Sequence, residues 1–149
     1  MIKFVIFFLI VILNYKYAFG RNIGETEITT EDGIEVFQEE KYYLLKKNVE
    51  IVSDEFELNG NLVKIYFEKD LYDIQELIAS TDVNFKSNIY NIKGKGNTLK
   101  FNIKNEEIIV TGEKSELFLE TTEMFSDGRI TVNNLVGSFS IKGSNSKLI

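Results

Sequence analysis

The run Phe56-Glu57-Leu58-Asn59-Gly60-Asn61-Leu62-Val63-Lys64-Ile65-Tyr66-Phe67 limits the fold more than any other stretch, because apolar and polar residues alternate on both sides of one Asn-Gly. Alternation with a period of two puts successive side chains on opposite faces of a strand, and Asn-Gly accepts the positive φ values of a tight two-residue turn. The run therefore predicts a β-hairpin, with Phe56 and Leu58 on one face of its first strand and Val63, Ile65 and Phe67 on one face of its second. The pattern returns downstream. Asn48-Val49-Glu50-Ile51 reappears as Asp82-Val83-Asn84-Phe85, and Leu58-Asn59-Gly60 as Ile92-Lys93-Gly94, with two further residues placed before Leu99-Lys100-Phe101. A looser third copy runs from Ser115-Glu116-Leu117-Phe118-Leu119 through Ser126-Asp127-Gly128 to Ile130-Thr131-Val132. Such a period predicts stacked hairpins, none able to bury its apolar face without its neighbours.

The rest of the chain reads the same way. Ile23 to Glu31 is polar and predicts an edge strand or an unpaired arm, and Gly33 to Phe37 predicts a strand after the Glu31-Asp32-Gly33 turn signal. Gln38 to Lys41 predicts an exposed turn, Tyr42 to Ile51 a long strand, and Ser53-Asp54 a reversal. Glu68 to Ser80 fits both periods: Leu71, Ile74, Leu77 and Ile78 suit a short helix, while Leu77, Ala79, Thr81, Val83 and Phe85 suit a strand. The β-branched Thr81 and Val83 favour a strand from Leu77 onward, with a loop over Lys69 to Tyr72. Ile89 to Ile92, Leu99 to Ile103, Ile108 to Val110, Leu117 to Leu119, Ile130 to Val132 and Phe139 to Ile141 supply further strands. Turns are expected at Gly94-Lys95-Gly96-Asn97, Lys104-Asn105-Glu106, Gly112-Glu113-Lys114, Ser126-Asp127-Gly128 and Asn133-Asn134. Many short strands at this spacing predict an all-β roll, sandwich or solenoid in one domain.

Residues 1–20 carry Lys3, an apolar run from Phe4 to Leu13, and the small-x-small site Ala18-Phe19-Gly20 before Arg21. The run is about half the length of a bilayer span, which favours a cleavable export signal over an anchor. The mature domain is then 21–149. Loss of Lys3 and Lys16 would take the net charge from −6 to −8, and such an acidic chain is a poor non-specific binder of nucleic acid. There is no Cys and no His, so disulfides, thiol nucleophiles, imidazole bases and the common zinc ligand sets are excluded. The absence of Pro fits long paired strands, although A/T-rich coding, with its Ile, Lys and Asn, would leave the same mark.

Asp54, Glu55 and Glu57, or Glu106 and Glu107, could in principle pair for acid–base hydrolysis. They alternate with apolar residues or flank turns, the pattern of a solvated outer face, so no catalytic residue is assigned. Ser126-Asp127-Gly128 has no acidic ladder after it and reads as a turn rather than a calcium loop. No cofactor or metal is expected. Lys93, Lys95, Lys100 and Lys104 gather near one predicted hairpin, either as a solvated rim or as a contact for an anionic head group.

The phrases Gly33-Ile34-Glu35-Val36, Lys47-Asn48-Val49-Glu50-Ile51, Leu77-Ile78-Ala79-Ser80-Thr81-Asp82-Val83 and Ile141-Lys142-Gly143-Ser144-Asn145-Ser146, taken with the leader and the stacked hairpins, resemble the OstA-like family from about Ile28 to Leu148. The resemblance implies a twisted, open β-jellyroll of antiparallel hairpins. It implies a non-enzymatic periplasmic protein that carries or bridges lipopolysaccharide from inner to outer membrane, with partners resembling LptC and LptD. The short leader disfavours an anchored, LptC-like member, and the lack of a barrel-forming segment disfavours LptD. Acyl chains would lie on an inner face formed by Val49, Ile51, Phe56, Leu58, Val63, Ile65, Phe67, Val83, Phe85, Leu99, Phe101, Val110, Leu117, Leu119, Ile130, Val132, Phe139 and Ile141. A closed-core interaction scaffold would need the same alternation. An open roll also leaves unpaired edges, here expected at Ile34 and Val36 and at Phe139 and Ile141, through which copies or partners could join head to tail by strand addition.

Overall fold

The computed structural model describes residues 21–149; the leader expected over 1–20 lies outside the described residues. Twelve strands run in chain order: β1 (Glu27–Thr29), β2 (Ile34–Phe37), β3 (Tyr42–Val52), β4 (Phe56–Phe67), β5 (Ile74–Ser87), β6 (Ile92–Asn102), β7 (Glu107–Thr111), β8 (Ser115–Leu119), β9 (Thr122–Ser126), β10 (Arg129–Asn133), β11 (Ser138–Lys142) and β12 (Ser146–Leu148). Every pairing is antiparallel, and the sheet does not close on itself. The all-β class expected from the alternation, and the open antiparallel jellyroll that the resemblance implies, are the observed ones. The ambiguous segment is strand, starting at Ile74, earlier than Leu77.

The Asn59-Gly60 hairpin is not formed. β4 passes straight through it, and β6 passes straight through Gly94-Lys95-Gly96-Asn97. The pattern misled for a definable reason. In β4 the inward residues are Phe56, Leu58 and Gly60, then Val63, Ile65 and Phe67, a change of parity that a two-residue turn would also produce. Its cause is a row of bulges. Lys47 and Asn48 of β3, with φ 66° and 45°, lie together opposite the lone Asn61, between the pairs Lys46↔Leu62 and Val49↔Gly60. Thr81 and Asp82 of β5, with φ 67° and 51°, lie likewise opposite Asn97, between Ser80↔Thr98 and Val83↔Gly96. Two residues facing one locally bend and twist a strand pair. The sequence repeat is therefore real, but its unit is a pair of long bent strands. The two extra residues of the second copy fall in the Ser87–Ile92 turn rather than after Gly94, and Ile89, expected in a strand, sits exposed in that turn.

The bulge row creases the sheet into two halves. One is β2-β3-β4-β5-β6-β7-β10-β11, the other β1-β3-β4-β5-β6-β8-β9-β12, with β3 to β6 running through both. Outside these four, each long strand is broken at the crease into two short ones, as β7 and β8 are by Gly112-Glu113-Lys114. The sharpness of the fold follows from two rings. Phe85 lies opposite Gly94 of β6, and Phe101 is seven residues further along, about 23 Å away in a flat strand at about 3.3 Å per residue. Their ring centroids are 5.3 Å apart, and Phe56 is 6.1 Å from each. The halves thus face each other, with the apolar face inside.

Candidate functional site

The apolar interior is one contiguous cluster. All predicted inward residues are buried there except three. Leu119 and Ile141 are half-buried, and Phe139, expected inside, is 47% exposed because β11 is the last strand of its half-sheet and nothing among the described residues covers it. The cluster also takes in Tyr43, Leu45, Leu77, Ala79, Ile92, Ile108 and Met124. Leu45 and Tyr43 could have been found by extending the alternation of β3 back from Val49; Met124 lies on β9, whose Thr122-Glu123-Met124-Phe125-Ser126 has too few apolar residues to announce a strand.

The interior is covered in the middle and uncovered at both lateral edges. On β2, Ile34 and Val36 lie opposite Leu45 and Tyr43 and share their inward face, yet are 51% and 45% exposed. At the far edge Phe139 and Ile141 lie opposite Val132 and Ile130. Both expected edge pairs therefore stand where one long apolar face reaches solvent. Next to Phe139, the β10–β11 turn carries exposed Leu135 and Val136.

Polar groups pin the crease at each edge. Thr30 donates its hydroxyl to the Lys46 carbonyl, Glu31 N–H donates to the Lys47 carbonyl at 2.9 Å, and Glu31 accepts from Asn48 Nδ2 at 2.6 Å. The Asn48 hydrogen bond, then Lys47 at 3.3 Å, hold the Glu31 carboxyl below its ordinary value. At the opposite edge Ser126 Oγ donates to the Lys142 carbonyl at 2.9 Å, and Asp127 accepts from Asn145 N and Nδ2 at 3.1 and 3.2 Å. Ser126-Asp127-Gly128 is thus the corner between β9 and β10. A Cβ on Gly128 would collide with the Lys142 carbonyl oxygen. Burial raises the Tyr43 phenol, whose hydroxyl donates to the Leu71 carbonyl and ties the β4–β5 loop to the core.

The acidic pairs serve connections. Asp54 is bound by Arg21 at 2.6 Å and by Gly24 N–H at 2.7 Å, and the Arg21 hydrogen bond holds its carboxyl below the usual value. Glu106 accepts from Asn134 Nδ2 at 2.8 Å, joining two turns. Among the described residues no group of three or more acidic side chains is placed to hold a metal ion. The lysine cluster is divided: Lys100 pairs with Glu76 at 3.2 Å in one half-sheet, Lys104 lies in the β6–β7 turn, and Lys93 and Lys95 stand on the outer face of the other half.

An open, creased antiparallel jellyroll with a continuous apolar inner face defines the class of protein. Its fold is LptA-like: the chain superposes with a TM-score of 0.69 on the crystal structure of LptH, the LptA-homologous periplasmic component of the lipopolysaccharide transport device of Pseudomonas aeruginosa, at 9% identity over 84% of this chain and 94% of that one. No family model and no curated protein sequence matches the chain.

Proposed function

We propose that this chain is a non-enzymatic periplasmic carrier or bridge for lipopolysaccharide, moving it from inner to outer membrane with acyl chains against the apolar inner face. The observation that supports the reading is the single apolar face, enclosed in the middle and uncovered at Ile34 and Val36 and again at Phe139, on the fold of a lipopolysaccharide-transport component. Each methylene taken from water is worth about 0.8 kcal/mol, so a few acyl chains are held without any specific polar group. Lipid enters at an uncovered edge and parts the half-sheets, displacing Phe101 from Phe56 and Phe85. Strand addition at β2 and β11 then joins the chain to OstA-like partners resembling LptC and LptD, or head to tail to its own copies, and lines up successive inner faces.

The close packing of Phe56, Phe85 and Phe101 favours the competing reading, a closed-core scaffold. Photo-crosslinkers at Phe67, Phe101 and Glu57 decide between them in cells. Labelling of lipopolysaccharide from Phe67 and Phe101 but not from Glu57 is expected of a carrier, and silence at all three refutes it. Val36→Pro and Ile141→Pro each remove a backbone donor from an edge strand; unchanged size distribution and partner capture in a folded variant would refute assembly through that edge. The export reading predicts that the mature chain begins at or near Arg21, whereas recovery of the intact chain in the membrane fraction would mark an anchored, LptC-like protein.

A further inference from the structure

The outer face of the β5–β6–β8 region carries a feature that the apolar interior does not use. Lys86 lies directly opposite Lys93, and Lys95 stands on the same face two residues along β6. Like charges placed opposite each other across a ladder are destabilising, and this chain, at −6, has acids to spare. Glu57 lies opposite Lys86 and Glu116 opposite Lys95, while Lys93 faces Lys86 on one side and Phe118 on the other. Among the described residues none of the three lysines comes within ion-pair distance of a carboxylate. They line an open cavity of about 350 Å³, within the range of small-ligand sites, whose wall also includes Phe118, Asn59 and Asn84 and the two carboxylate residues Glu57 and Glu116. Phe118 is fixed edge-on against Phe125, with centroids 5.9 Å apart, so the wall is a held ring rather than a loose one. Cavities of about 730 and 720 Å³ adjoin it along the strands and share Lys95 and Lys93 with it.

The geometry points to a binding site for a phosphate ester carried on a sugar-like ring. Three ammonium groups outnumber the two carboxylates of the wall, and Lys93, the one with no acid opposite it, offers its charge to the oxygens of a phosphate; the Asn amides supply neutral donors, and Phe118 gives the ring a flat apolar surface. A bound phosphate also removes the repulsion between Lys86 and Lys93. The site lies on the opposite face of the sheet from the interior, so it stands or falls independently of lipid carriage.

The test is a titration of the full chain followed by backbone amide shifts, with inorganic phosphate, glucose 6-phosphate and glucose as probes, and vesicles of phosphatidylglycerol or phosphatidylcholine as a separate arm. Saturable shifts at Lys86, Lys93, Lys95 and Asn84 are expected with both phosphates, with Phe118 moving for the sugar phosphate alone. Lys93→Gln should weaken both by about tenfold, Phe118→Leu should weaken only the sugar phosphate, and Lys104→Gln should change neither. Binding to phosphatidylglycerol vesicles that Lys93→Gln abolishes assigns a lipid headgroup as the source; binding of the soluble ester alone assigns a free one. Shifts that do not saturate, that touch Lys104 equally, or that are reproduced by polyglutamate but not by phosphate would overturn the site.

Discussion

Replacing Phe101 by Ala tests whether the two half-sheets are held face to face by rings meeting across the crease. Phe101 is 6% exposed and contacts Phe56 and Phe85, so its truncation removes a buried aromatic and leaves a cavity between the halves. Such changes cost about 3–5 kcal/mol, of which each ring pair supplies about 0.5–1.5 beyond simple burial. Against a total stability of about 5–15 kcal/mol, a loss of about 4 with a urea slope of about 2 kcal/mol per molar lowers the midpoint by about 2 M. The chain has no Trp, so unfolding is followed by far-ultraviolet circular dichroism. The decisive measurement is the cycle with Phe85→Ala. Residues 23 Å apart on a flat sheet would be additive within about 0.3–0.5 kcal/mol, whereas rings in contact give a coupling of at least about 0.5–1.5. Additive losses would refute the creased packing, however large each single loss.

Three further outcomes are expected. Gly128→Ala, which drives a methyl into the Lys142 carbonyl, should cost about 1–3 kcal/mol by urea unfolding, while Gly137→Ser at the open β10–β11 turn, strained only by its positive φ, should cost less. Thr81→Gly relieves a β-branched residue at φ 67° of about 1–2 kcal/mol and forfeits about 0.5–1 in chain entropy, so a net gain of about 0.5–1 kcal/mol should appear as a higher midpoint. The Asp54 carboxyl is held below its ordinary 3.8, so its contribution is present above that pH and lost as pH falls through the depressed value. In Arg21→Ala the Asp54 carboxyl should titrate closer to 3.8 by carbon-13 shift, and an unmoved titration would remove Arg21 as the main cause.

Much of the inner face was legible because burial depends on alternation, and alternation survives a mistaken topology. Phe56, Leu58, Val63, Ile65 and Phe67 face inward whether a turn or a bulge lies between them. The turn itself was misplaced because Asn-Gly is informative only about permitted φ, and here the positive values fall on Lys47-Asn48 and Thr81-Asp82, where an Asn or Asp accepts them with no Gly to mark the place. Gly96 serves contact instead: a Cβ on it would lie 2.5 Å from Val110 Cγ1, and Val110 belongs to a strand that no local pattern connects to it. Phe139 was read both as inward-facing and as an edge residue, because alternation assigns a face but not a cover. The outer-face meeting of Lys86 with Lys93 was equally hidden, since it depends on the register that the turn at residues 88–91 sets between β5 and β6.

The broken outer strands have a consequence for what can attach to them. Each lateral edge presents two short hydrogen-bonding ladders, β2 with β1 on one side and β11 with β12 on the other, set at an angle by the pinned corners at Glu31 and Asp127. A straight strand laid along either edge satisfies one ladder and leaves the other to water. Only a surface folded through the same angle engages both at once, so the crease acts as a geometric password. In the proposed edge-to-edge assembly it would admit another creased sheet and turn away the flat, endlessly extending strands from which fibrils grow.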